Sequence, residues 1–280
     1  AVVVGPRRGR FDNVEVEAEF EAHSVPFVVI GTLFLWFGWF GFNGGSTAAM
    51  HETSQAQTAA SVAVNTALAP CIAGFVVFVL NSEVLGGKGF DVPRFCNGIL
   101  AGLVSITASC ARIVSWEALL IGFVGALVFV GTSRLLLRLK IDDVVDAFAV
   151  HGACGLWGMV AAGLFGGPVR GGNGSLYGGD QLPAQLLAIV IISLWAGVLS
   201  MAVFLPLRVA GLLRHGNDFQ ERMEREHITM VKAYVERAAR LSEQSQASSP
   251  PPKPLDAQAE PIRMTAAEEA RVHGTSRSYM

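Results

Sequence analysis

Charge is scarce in this 280-residue sequence: Asp, Glu, Lys and Arg together make up 16%, against 51% hydrophobic residues. A soluble globular domain carries about a quarter charged residues, so the deficit points to lipid. Cysteine is sparse too. Cys71, Cys96, Cys110 and Cys154 all fall in apolar stretches, outside any metal-ligand spacing or disulfide framework. They read as small buried hydrophobes, and neither a metal nor a cofactor is expected. Catalytic signatures are missing: there is no Gly-x-Ser-x-Gly, no His-Glu-x-x-His, no phosphate loop and no intramembrane carboxylate pair, so an enzyme is not expected. The Asn-Pro-Ala boxes of water and glycerol channels are absent, and no nucleic-acid partner is expected. No signal peptide opens the chain. Val2–Val4 run straight into Gly5-Pro6-Arg7-Arg8-Gly9-Arg10, which reads as the end of a helix whose beginning is missing.

What is present is a series of windows free of Asp, Glu, Lys and Arg. They run from Ala22 to Met50, Thr53 to Ser82, Phe95 to Ala111, Ala118 to Ser133, Ala147 to Val169 and Gln181 to Leu207. A spanning helix needs about 20 mostly apolar residues, so the windows predict six membrane helices. Their expected extents are roughly 24–47, 56–80, 94–111, 116–138, 143–165 and 184–212. Alternation through six spans sends Arg7, Arg8, Arg10, Lys88, Arg94, Arg134, Arg138, Lys140, Arg208 and Arg214 to one side. Only Arg112 and Arg170 fall on the other. The basic-rich side is expected in the cytosol, together with both ends of the chain. Glycines recur every three residues at Gly152, Gly155 and Gly158, and again at Gly122 and Gly125, as helix-packing seams.

Two stretches could carry chemistry. At the outer end of the first helix stands Trp36-Phe37-Gly38-Trp39-Phe40-Gly41-Phe42-Asn43-Gly44-Gly45-Ser46. Phe42 and Ser46 are four apart and share a helix face. A ring face beside a hydroxyl suits a small cation, through cation–π attraction and an acceptor oxygen. The competing reading is an aromatic interfacial belt, and Trp36, Trp39 and Phe40 are assigned to it. His151 is the second candidate, about eight residues or 12 Å into the fifth helix. An ionisable side chain at such depth is a pathway candidate, with a structural histidine bonded to a backbone carbonyl as the alternative. Ala147, Phe148, Cys154 and Gly155, its helical neighbours, offer no partner. Asp142, Asp143 and Asp146 open the same helix, the first two as candidate caps and Asp146 as an acceptor for a neighbouring helix.

Beyond Arg214 the sequence turns charged. Residues 214–245 read as a cytosolic amphipathic segment, with Phe219, Met223, Met230, Tyr234 and Leu241 on one stripe. Asp218 is a candidate cap there, and Glu221–Arg225 and Glu236–Arg240 are supporting pairs four apart. Residues 246–280, with Pro250-Pro251-Pro252, read as disordered.

Trp39-Phe40-Gly41-Phe42-Asn43-Gly44-Gly45-Ser46 resembles a signature of ammonium transporters of the Amt/Rh family. So does Asp142-Asp143-Val144-Val145-Asp146-Ala147-Phe148-Ala149-Val150-His151-Gly152-Ala153-Cys154-Gly155, and Ala101–Thr107 between them is also similar. The resemblance covers residues 1–213 and is closer to the Amt branch. It implies an all-α polytopic fold built as inverted repeats, of which this chain is the second half: the end of helix five, then helices six to eleven. It implies transport of ammonium or ammonia, a lipid bilayer around a homotrimer, a plasma-membrane location and a cytosolic regulator at the tail. In the family pattern Phe42 is a gate phenylalanine, Ser46 belongs to the outer ammonium site, and His151 is one of two pore histidines. Asn43, Thr107, Asp146 and Trp157 are expected to be structural residues near the pore.

Overall fold

The computed structural model describes residues 1–7, 10–11, 20, 22–82, 89–214, 228–234, 236–237 and 240–241. Among these the chain is helical and contains no strand. The order is α1 (Val25–Gly45), α2 (Thr53–Asn81), α3 (Val92–Thr107), α4 (Ser115–Arg138), a π-helix (Phe148–Ala153) that continues as α5 (Cys154–Leu164), and α6 (Gln181–Val209). Single turns at Pro168–Arg170 and Ser175–Tyr177 shape the α5–α6 loop. By length and composition α1, α2, α4 and α6 are able to cross a membrane, while Val92–Thr107 and Phe148–Leu164 are apolar but shorter.

Two of these helices are shorter than their apolar windows. The third stops at Thr107, four residues early, because the backbone N–H groups of Ser109 and Cys110 both turn onto the Ile106 carbonyl. The carbonyls of Cys110 and Ile113 are instead taken by the buried Asn65 amide, at 2.9 and 3.3 Å. The fifth begins at Phe148, not at residue 143, so the expectation of eight helical residues below His151 is corrected. Asp143 accepts from the N–H groups of Phe148 and Ala149, at 2.8 and 3.3 Å, and so acts as the cap. Asp146 then takes φ +55°, in the left-handed region, where a helix cannot run.

The packed centre is the α2–α3–α4 group, with the π-helix and α5 laid against α3 and α4. Ala69, Ala73, Val77, Ala101, Leu103, Ile106 and Phe129 have 0% exposure. With lipid outside, such cores are held by van der Waals fit rather than by expulsion of water, which favours small residues at the seams. Gly122 is the sharpest case: a Cβ there would stand 2.3 Å from the Ala69 carbonyl oxygen. At Gly158 it would stand 2.9 Å from that of Ser105. Helices α1 and α6 differ from this core. The former buries only Thr32 and Asn43, and the latter buries nothing.

The chain divides into two units, Ala1–Arg214 and His215–Met280. Phe219, Met223, Asp218, the Glu221–Arg225 pair and residues 246–280 lie outside the described residues. Within the second unit, residues 228–234 are helical, Met230 and Tyr234 are exposed, and Arg240 approaches Glu236 at 3.9 Å.

Candidate pore-lining site

The outer group of residues stands where α1 ends. Ser46 caps that helix: its N–H and its hydroxyl both donate to the Phe42 carbonyl, at 3.2 and 2.6 Å. With its proton committed there, the Ser46 oxygen is left as an acceptor at that end of the helix. Phe42 is 61% exposed and its ring lies 5.9 Å from that of Trp39. Asn43, beside it, is 2% exposed and donates to the Thr66 hydroxyl of α2 at 3.0 Å, while its carbonyl oxygen has no partner among the described residues.

Trp39 and Trp36 correct the aromatic-belt reading. The indole N–H of Trp39 donates to the Thr107 hydroxyl at 2.8 Å, and that hydroxyl donates onward to the Leu103 carbonyl at 2.7 Å. Trp39 therefore fastens α1 to the outer end of α3. Trp36 lies midway along α1, not at its end, with a buried indole N–H that has no acceptor among the described residues. A belt needs the ring at headgroup depth, with its N–H reaching water.

The inner group is organised by Asp146 and the π-helix. The Asp146 carboxylate accepts from the Ser133 hydroxyl of α4 at 2.9 Å and from the Asn97 amide of α3 at 3.2 Å. A left-handed backbone is tolerated by Asp better than by most residues, so the carboxylate can point at both helices while the chain turns into the π-helix. Above it, the Cys154 thiol donates to the Ala149 carbonyl at 3.3 Å, and Trp157 donates to the Ile121 carbonyl at 3.0 Å. His151 sits in the π-helix with its side chain exposed, and that side chain has no hydrogen-bond partner among the described residues. Single-turn π segments are often found at functional sites.

Helix α3 is the common ruler. Thr107 marks the outer group and Asn97 the inner one, ten residues apart in sequence, or about 15 Å at 1.5 Å per residue. Phe42, Asn43, Ser46 and Thr107 thus gather at one end, while Asp146 and His151 belong to the other half of the same scaffold.

At the end of the scaffold where the chain begins, Arg7 clamps Asp142. Its N–H, Nε and Nη2 donate to the carboxylate at 2.9, 2.8 and 2.9 Å. The Asp142 side chain is 5% exposed, and the Arg7 guanidinium holds its carboxyl below the ordinary value of 3.8. Arg208, in the last turn of α6, and Arg214, beyond that helix, donate to the carbonyls of Val3 and Pro6 in the same segment. Sequence reasoning missed Thr66, Asn97, Ser133 and the Arg7 clamp. The available signal was the presence of polar side chains inside windows otherwise apolar.

A polytopic helical scaffold with polar residues aligned along its inner helices is that of a membrane transport protein. The chain matches the Ammonium Transporter Family over residues 1–231 and belongs to that family. A relative named ammonium transporter 1 member 1, from Arabidopsis thaliana, is 36% identical over 237 residues, covering 78% of this chain and 47% of the relative. The tomato (Solanum lycopersicum) protein named ammonium transporter 1 member 3 is 35% identical over 245 residues, covering 78% of this chain and 52% of its own length. Among solved structures, Saccharomyces cerevisiae Mep2 aligns with TM-score 0.63 at 31% identity, over 70% of this chain and 45% of its own. A structure described as a sensor Amt protein aligns with TM-score 0.66 at 31% identity, over 79% and 53%. This chain thus spans about half the length of the relatives it matches.

Proposed function

We propose that the chain forms one wall of a pore that carries ammonium or ammonia across a membrane. The observation that carries this reading is the pairing of the open Phe42–Ser46 face with the exposed, unpartnered His151 on one α3-centred scaffold. At the outer mouth the Phe42 face attracts a cation and Ser46 accepts one of its N–H bonds. Moving a bare charge to mid-membrane costs several kcal/mol, so the ion sheds its proton or its water behind Phe42. Ammonia then passes along the dry helices, and the imidazole of His151 carries or directs the proton. Asn43, Thr107, Asp146 and Trp157 hold the helices that bear these groups.

The same reading has Ala1–Leu213 as a six-span membrane domain, set in the plasma membrane as part of a homotrimer. Residues 214–245 are read as cytosolic and open to a regulator. A second reading is favoured by the nearly unburied α1 and α6: a fragment that assembles with other subunits without transporting. Ammonium-dependent growth of a transporter-deficient cell separates the two. Growth rescue supports transport, and its absence despite membrane assembly supports the second. Competition by methylammonium separates ammonium from other small solutes.

A further inference from the structure

The inner side of the chain is rich in basic residues, and the outer side receives only Arg112 and Arg170. They lie on different loops, one between α3 and α4 and the other between α5 and α6, separated by 58 positions (170 − 112). The fold nevertheless brings both to one open groove of about 830 Å³ beside the outer end of α2. Ser54, Gln57, Thr58 and Ser61 line its α2 wall. Their spacing of three and four residues places these polar side chains on one face of that helix.

From this convergence we infer that the groove is a binding site for a phosphate-bearing anion at the outer surface. Guanidinium forks match phosphate oxygens bidentately, and the Ser54 hydroxyl and Gln57 amide can add donors, while the Thr58 and Ser61 hydroxyls donate to the Ser54 and Gln57 carbonyls. Arg170 is already held in place by its 2.7 Å hydrogen bond to the Ser61 hydroxyl. Arg112 is exposed and has no side-chain partner among the described residues, so its donors are available. Among the described residues no carboxylate lines the groove; Glu52, which precedes α2, is not among its walls, and Asp180 is engaged by Asn173. Two like charges that converge on one groove repel each other unless an anion neutralises them. The site lies where α2 begins, at the level expected for outer-leaflet headgroups. Its phosphate can therefore come from an anionic lipid or from free phosphate in the medium.

The test uses the purified 280-residue chain in detergent, by native mass spectrometry with phosphatidylglycerol or phosphatidylcholine. A second arm measures the thermal unfolding midpoint with inorganic phosphate against chloride at equal ionic strength. Preferential retention of phosphatidylglycerol, weakened about tenfold in R112Q/R170Q, assigns the site to lipid. A saturable phosphate-induced rise in midpoint, lost in the same variant, assigns it to the free anion. R112K/R170K keeps the charge and is expected to retain part of the binding. R112Q alone breaks no side-chain contact among the described residues, and it serves if the double variant fails to fold. Arg134→Gln, an exposed inner-side control, is expected to change neither readout. Equal retention of both lipids with no phosphate response, or an equal loss in Arg134→Gln, overturns the inference. The proposal does not depend on ammonium transport, so its failure leaves that reading intact.

Discussion

Asp146 shows how much one side chain can fix. Its carboxylate joins α3 to α4 and its left-handed backbone sets where the π-helix begins. Asp146→Ala removes the acceptor of two hydrogen bonds and disfavours φ +55°, at a cost of about 2–3 kcal/mol. Asp146→Asn keeps one acceptor and a residue suited to that backbone, so it is expected to cost less. Unfolding midpoints in detergent check the order; equal loss in both would mean the carboxylate acts only through charge. For His151, uptake is the relevant readout. When the chain is co-expressed with the first half of the Arabidopsis relative, His151→Ala should impair ammonium uptake or alter its selectivity without reducing assembly. Unchanged uptake and selectivity would remove His151 from the pathway.

Arg7 and Asp142 make a prediction about pH. Pairing depresses the Asp142 pKa, so the contribution of the bond is complete above the ordinary value of 3.8. It is lost as pH falls through the lower folded value, where the carboxyl protonates. Arg7→Ala should lower stability near neutrality by about 1–2 kcal/mol, since Arg7 itself is partly exposed. The gap from wild type should close in strong acid, and a gap independent of pH would argue against the pair.

At the scale of elements, α1 is held by few bonds for its length. Trp39 to Thr107 and Asn43 to Thr66 are its polar attachments to α3 and α2. Thr107→Val keeps the shape and removes the acceptor, leaving the indole N–H without a partner. A loss of about 1 kcal/mol is expected, as for interhelical bonds in membranes. Red-edge Trp fluorescence and the unfolding midpoint should both shift; neither moving would show that Trp39 is positioned by packing alone. The sidedness of the helices is open to labelling. Leu176, exposed in the α5–α6 loop, tolerates a cysteine, unlike Gly172, where a Cβ would meet the Gly166 carbonyl oxygen at 2.3 Å. Leu176→Cys should react with an impermeant reagent on intact cells and Leu139→Cys, after α4, should not. Equal reactivity of the two would defeat the assignment of sides.

For the whole molecule, the unburied faces set the expectation. Phe27, Phe34 and Phe37 of α1 are 75, 72 and 78% exposed, and α6 buries no residue. His151 has no partner among the described residues, and an unpaired polar group in lipid costs on the order of kcal/mol. We therefore expect the 280 residues reconstituted alone to show no saturable uptake of radiolabelled methylammonium. Saturable uptake above empty vesicles, abolished by His151→Ala, would show one wall to be sufficient.

Much of this molecule was fixed before any packing. The charge-free windows determined where apolar helices form, because backbone polar groups in lipid must be paired within the segment. The motif around Phe42 and Ser46 and the run from Asp142 to Gly155 marked the candidate site in sequence. What only the tertiary structure decided were relations between residues distant along the chain. The Arg7 clamp on Asp142 spans 135 positions, Trp39 reaches Thr107 across two helices, and Arg112 meets Arg170 at one groove. The π-helix belongs to the same class, since Asp146 enters its left-handed turn with its carboxylate bound by Ser133 and Asn97, on two other helices. Periodicity reports which face a residue takes; it carries no information on which helix will meet that face.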